Sequence, residues 1–318
     1  LSSSIGIRAD GNTFTDDGNQ LWKTLSPRLA LSYALDSSGD WKITGSMGRY
    51  FKIPPSTILG FKNSSNDFVN RDADYIRSDH YVGGLSYSPR KSTQFAIEGF
   101  LKRYDDYPVS VADSVSLANL GANFDIFGNE AIESAGKGRA YGVEFTYQQK
   151  LQKNFYGILA YTLYWSEFTG FNTTRYRPSL WDNRHLLTFT GGYTFGNNWE
   201  VGVRTRIIGG APYPALNRVA TQQTYPTLTF NYNTLGDKRL DVFNTLDLRI
   251  DKQWNFSRWS LKLYLESTNV LASDIPNPPT YGLQRNANGA PVEPRQIVEI
   301  EGVDNSSVLP TIGVVIDL

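Results

Sequence analysis

Chemistry has few places to happen in this chain. Its 318 residues include two histidines, His80 and His185, and no cysteine. Without thiols there can be no disulfides, thiolate metal sites or cysteine nucleophiles. The histidines lie far apart, in neither an HExxH nor a two-histidine, one-carboxylate spacing, so no metal site is expected. No Gly-rich phosphate loop stands out, and no cofactor is expected. His185, close after Asp182, is the best candidate for a general base. No serine beside it offers a nucleophile, so no catalytic residue is expected.

What the chain has in quantity is ordered charge and aromatic rings. Glu144, Glu200, Arg204, Arg206, Asp247, Arg249, Asp251, Lys262 and Glu266 all alternate with apolar neighbours. A second group of rings falls between the alternating stretches: Phe61, Phe68, Tyr75, Phe124, Phe127, Tyr176, Tyr213, Tyr225, Phe230 and Tyr232. Rings on loops can recognise a sugar, a peptide or a chelate. The 31 basic residues balance 31 acidic ones, which argues against a nucleic-acid partner.

Period two positions these groups. Leu261, Leu263 and Leu265 alternate with Lys262, Tyr264 and Glu266. Leu246, Leu248 and Ile250 alternate with Asp247, Arg249 and Asp251. Such alternation predicts strands with one apolar and one polar face. Strands are expected at 1–9, 26–36, 41–51, 76–87, 92–105, 137–149, 154–166, 184–195, 199–208, 244–254, 259–271 and 310–318. The longest apolar run, Phe155 to Tyr161, falls well short of the roughly 20 residues a membrane helix needs.

The connections alternate too. Short ones lie at 36–40, 88–91, 150–154, 195–198 and 255–258. Long ones lie at about 10–25, 52–75, 106–136, 167–183, 209–243 and 272–309. A soluble sandwich mixes its loop lengths. Strict alternation puts every long loop at one end, as in an outer-membrane barrel. Trp41, Trp199, Trp254 and Trp259 flank short turns, and Trp165 and Trp181 flank a long loop, as aromatic girdles require. The expected fold is therefore all-β: an antiparallel transmembrane β-barrel with about twelve strands here. The expected setting is the lipid bilayer of the bacterial outer membrane. A wet lumen explains how 40% apolar content suffices, and zero cysteine suits an oxidising periplasm.

Several segments resemble the C-terminal half of a TonB-dependent outer-membrane receptor of the Bacteroidetes type. They are Gly48 to Pro55, Gly138 to Phe145, Trp181 to His185, Gly209 to Tyr213, Leu246 to Lys252 and Leu265 to Leu271. The tail, with Gly313, Ile316 and Leu318, resembles a barrel assembly signal, although the family usually ends in Phe. The resemblance implies that residues 1–318 are the second half of a 22-stranded barrel. The plug domain and the first barrel half would then be supplied outside this sequence. It implies active import of a nutrient of the siderophore, oligosaccharide, peptide or cobalamin class. TonB would supply energy through the plug, the barrel assembly machinery would insert the chain, and a surface lipoprotein is a candidate partner. The charge ladder would line the lumen, and Phe61, Phe68, Tyr75, Tyr176, Tyr213 and Tyr225 would contact ligand. The other readings are a self-contained twelve-stranded porin, or a barrel phospholipase using His185.

Overall fold

The computed structural model describes residues 1–120, 128–300, 302 and 306–318. Phe124 and Phe127 lie outside the described residues. Twelve long strands form one antiparallel sheet in chain order. They are β1 (Ser2–Arg8), β2 (Ser26–Ala34), β3 (Trp41–Lys52), β4 (Ile76–Arg90), β5 (Thr93–Ser110) and β6 (Ile132–Gln152). The remainder are β7 (Phe155–Phe168), β8 (His185–Phe195), β9 (Trp199–Ile208), β10 (Phe243–Asn255), β11 (Ser260–Thr268) and β12 (Leu309–Asp317). Among the described residues β1 and β12 are edges, each paired on one side only.

The short connections are tighter than the sequence suggests. Lys153 and Asn154 both take positive φ, 47° and 75°, as do Asn197 and Asn198 at 62° and 60°. Two left-handed residues in succession match the twist of a hairpin, and asparagine tolerates that conformation well. All six long connections emerge at the opposite end.

Register sorts the side chains. Leu248 and Ile250 on β10 share a face with Leu263 and Leu265 on β11, and all four are exposed. Asp247, Arg249 and Asp251 take the other face with Lys262, Tyr264 and Glu266. Exposed apolar side chains over a whole sheet face suit hydrocarbon as solvent. At the short-turn end that face carries stacked rings: Trp41 on Tyr87 at 4.3 Å and Phe256 on Trp259 at 4.2 Å. Lys252 sits there between Trp199 and Trp254, its ammonium 5.4 and 5.5 Å from their ring centres. This is a snorkelling position at the interface.

The polar face fits rings over glycines. A Cβ at Gly192 would meet the Tyr156 ring at 2.5 Å, and one at Gly313 would meet Tyr264 at 2.1 Å. Gly313 therefore has a packing role on this face, across from β11. A ring covering a strand glycine restores the contacts its missing side chain forfeits.

Two strands correct the sequence reading. Residues 106–110 and 132–136, expected as loop, extend β5 and β6 into one tall hairpin. Asp106, at φ 57°, lies where the register shifts between Tyr104 and Tyr107. A bulge reverses which face each following residue meets, so simple alternation ends there. After it, Val109 and Ile132 become buried. In the opposite sense β11 stops at Thr268 rather than 271, because Asn269 turns left-handed at φ 53°.

The packed core lies in the long loops, beyond the sheet's apolar band. Ile58, Leu59, Ala73, Leu117 and Ile132 form it, with Phe14, Ile53 and Leu120 against them. Each large aliphatic side chain buried there contributes about 1.5–3 kcal/mol. Asn70, fully buried, ties the loops together. Its amide donates to the carbonyls of Ile58 and Glu130, both at 2.8 Å, and accepts from the Ile132 N–H at 3.0 Å.

Candidate functional site

The charge ladder resolves into two hubs and several free ends. Arg204 stands opposite Asp247 across β9 and β10, with a guanidinium nitrogen 2.6 Å from its carboxylate. Asp247 also accepts from the Asn269 N–H at 2.8 Å, fixing the start of the last loop. Arg249 reaches Asp251 at 2.8 Å and Glu266 at 3.1 Å. Its guanidinium lies 3.8 Å over the Tyr264 ring. Glu200 accepts from the Tyr156 hydroxyl. Glu144 accepts weakly from Thr162 at 3.3 Å and stands opposite Glu98. Arg206 and Lys262 point from the same face, and they form no ion pair among the described residues. All nine ladder residues share one face, and five of them pair with one another.

His80 is on that face as well. Its Nε2 is 2.7 Å from the Ser78 hydroxyl, and its ring is 4.5 Å from Tyr50, which in turn carries Arg28. His185 belongs to the opposite, apolar face, where its Nδ1 meets the Tyr161 hydroxyl at 2.8 Å. Asp182 is engaged elsewhere. It is fully buried between Arg239 at 2.7 Å and Arg184 at 3.0 Å, and it accepts from the Ser166 N–H.

The long loops build a cap from several chain segments. The connection between β9 and β10 contains the helix Arg218–Thr224, whose N-terminus is capped by Asn217. Arg218 donates to the Ile297 carbonyl at 2.7 Å, joining this loop to the last one. The aromatic candidates divide. Phe68 packs edge-on against Phe14 at 5.1 Å, and the Tyr75 hydroxyl meets Asn12 at 3.1 Å, so both make loop-to-loop contacts. Tyr176 lies under Arg139, 4.3 Å away, on the outer wall. Tyr213 sits in a two-residue strand paired with Lys238–Arg239. Phe61 and Tyr225 are half-buried in their loops.

Sequence reading missed Arg175 and Arg177. Both grip Asn233, Arg177 at 2.7 Å and Arg175 at 3.1 Å to the same Oδ1. Neither has a carboxylate partner among the described residues, and the buried Nε of Arg177 has no hydrogen-bond partner. Burial and the neighbouring Arg175 push the Arg177 guanidinium below its ordinary pKa. The Arg-x-Arg spacing was visible in the sequence, but nothing in it marked the pair as uncompensated.

No curated protein matches the chain. Among solved structures it is similar to the outer membrane transporter YddB from Escherichia coli, at 12% identity and TM-score 0.61, over 99% of this chain and 43% of that one. It is similar to the ferric citrate transporter FecA at 13% identity and TM-score 0.55, over 92% of this chain and 38% of that one. It is also similar to the ferripyoverdine receptor of the Pseudomonas aeruginosa outer membrane at 14% identity and TM-score 0.55, over 81% and 30%. Likeness at these identities shows the fold alone. The chain spans between 30% and 43% of the length of these matches. The sequence itself matches the family described as TonB dependent receptor-like, beta-barrel, over residues 1–270. With its twelve-stranded sheet, its apolar outer face and its one-ended loops, the chain belongs to the TonB-dependent receptor β-barrels of the bacterial outer membrane.

Proposed function

We propose that this chain forms the C-terminal part of a receptor that imports an anionic nutrient chelate, with energy supplied through TonB. The observation that carries the ligand's charge is the uncompensated pair Arg175 and Arg177 in the loop cap. Two guanidiniums sharing one amide oxygen repel each other, and an anion arriving between them relieves that repulsion. Receptors of similar fold are named for ferric citrate, ferric catecholate and ferripyoverdine, so ferric chelates are the first compounds to test. Oligosaccharides, peptides and cobalamin use the same architecture, since fold alone does not fix the ligand.

Open edges at β1 and β12 leave backbone donors and acceptors that hydrocarbon cannot satisfy. We infer that further strands of the same receptor close the barrel and that a plug fills it. Arg206, Lys262, Glu98 and Glu144 then face the plug across a wet interface. A polar, partly unpaired wall offers the plug contacts that can be exchanged when it is pulled. The barrel contributes binding and passage, and covalent change to the ligand is no part of this reading.

The test is binding of labelled ferric citrate, ferric catecholate and ferripyoverdine to cells bearing the full receptor and its R175A/R177A variant. The proposal expects one chelate to bind, with about tenfold or greater loss in the variant, as for removal of charge-assisted contacts. Equal binding by the variant contradicts the assigned role of the two arginines.

A further inference from the structure

The outer face carries a feature that transport does not use. Gly45, Gly83 and Gly99 stand side by side on β3, β4 and β5. All three lie on the apolar face and open a groove of about 770 Å³ in the barrel's outer wall. Its sides are apolar and aromatic, with Leu31, Met47, Tyr81, Leu101, Tyr141 and Trp165 among them. A Cβ would meet nothing within 4 Å at Gly83 or Gly99, so no packing inside the sheet demands glycine there.

Toward the loop end the same face changes character within one row. The residues paired across β3 to β7 run Arg49, Asp79, Arg103, Arg139, Glu167. At the other end of β3 to β6 stand Trp41, Tyr87, Phe95 and Tyr147, about 26 Å away along each strand at about 3.3 Å per residue. Strand tilt reduces that to a height suited to a thin outer membrane. The charged row therefore lies at the outer-leaflet headgroups.

The acids in this row are already engaged. Asp79 is held by Arg49 at 2.7 Å and Glu167 by Arg139 at 2.7 Å, while Asp105 pairs with Arg77 at 2.6 Å. Arg103 stands directly opposite Arg139, a like-charge cross-strand pair in which Glu167 answers only Arg139. Arg103 and Lys137, both exposed, form no ion pair among the described residues. The three cations edge a hollow of about 480 Å³ that Tyr176 and Asp105 also line, with the Asp105 carboxylate held by Arg77. Leu101 and Tyr141 border both hollow and groove, so the two are continuous.

We propose that this surface binds one phosphate-bearing lipid of the outer leaflet. Its phosphate would lie against Arg103, Lys137 and Arg139, and an acyl chain would lie over the three glycines. Charge complementarity selects the anionic headgroup, and the dry groove directly beneath selects a lipid over a free anion. A site of this kind would hold the tall β5–β6 hairpin, and the cap it supports, at a fixed height in the membrane.

The test uses the full receptor, purified in mild detergent and examined by native mass spectrometry with diphosphoryl lipid A, phosphatidylethanolamine or inorganic phosphate. Lipid A should be retained preferentially. R103E/K137E should lower its retention about tenfold or more, since each basic side chain at an anionic surface contributes appreciably. G83L/G99L, which fills the groove from open space, should lower it with both cations intact. Both variants should keep wild-type heat-modifiability on gels, showing a folded barrel. Unchanged lipid A retention in either folded variant overturns the proposal. Equal retention of phosphatidylethanolamine, or inorganic phosphate competing lipid A away at comparable concentration, overturns it as well.

Discussion

The ring of Tyr264 occupies the space where a side chain at Gly313 would begin. A Cβ there would lie 2.1 Å from the ring. Arg249 covers the same ring at 3.8 Å, so the last strand, the ring and the larger charge hub form one stack. G313V should displace Tyr264 and lower the amount of folded receptor in the outer membrane several-fold, as overpacking costs of about 1–3 kcal/mol imply. G313V/Y264A should recover much of it. Heat-modifiability of the outer-membrane fraction reads both, and equal loss in the double variant would show that Gly313 acts only as a recognition signal.

Asn70 is the fastener of the loop cap. N70A removes three hydrogen bonds at a fully buried position and takes this partner from the Glu130 carbonyl and the Ile132 N–H, while the Ile58 carbonyl keeps the Phe61 N–H at 3.2 Å. Each stranded group costs about 1–3 kcal/mol. The cap should loosen while the membrane-spanning strands stay formed. Hydrogen exchange should show faster exchange in 53–75, 111–120 and 128–131, with β9 to β11 unchanged. Uniform acceleration across the sheet would contradict a separate cap.

Asp182 is buried with two arginines, and removing it strands both. D182A should lower the thermal stability of the receptor by about 3–5 kcal/mol, the usual cost of breaking a buried pair. D182A/R239A should cost less than the two single variants summed, because both single changes break the same Asp182–Arg239 contact. Strict additivity would mean that the Arg239 contact at 2.7 Å contributes little.

Arg206 and Lys262 form no ion pairs among the described residues, so their loss should cost the fold little. R206A/K262A should stay within about 0.5 kcal/mol of wild-type stability, as surface changes do. Uptake should slow while binding of the chelate outside is kept. Calorimetry and an uptake assay on the same variant separate the two effects.

The twelve strands were legible because lipid on one side and water on the other impose period two, as in Leu261 to Glu266. Four of the five short turns were legible because asparagine or glycine punctuates them, and the fifth, at 88–91, because of Pro89. The height of the β5–β6 hairpin was hidden by two register shifts, at Asp106 and between Tyr107 and Pro108, which break alternation without ending the pairing. The site was less legible. The ladder residues all share one face, but which of them pair depends on register, and sequence does not print register. Loop rings such as Phe68 and Tyr75 look alike whether they meet ligand or another loop. Their loop contacts are with partners distant in the chain, Phe14 and Asn12.

Energised import through this barrel is tested most directly by uptake of the bound ferric chelate into cells carrying the full receptor, with the proton gradient intact or collapsed by an uncoupler. Surface binding should persist in both conditions, and accumulation should stop when the gradient is lost. Accumulation that continues undiminished without the gradient would contradict energised import and mark the barrel as an open diffusion channel.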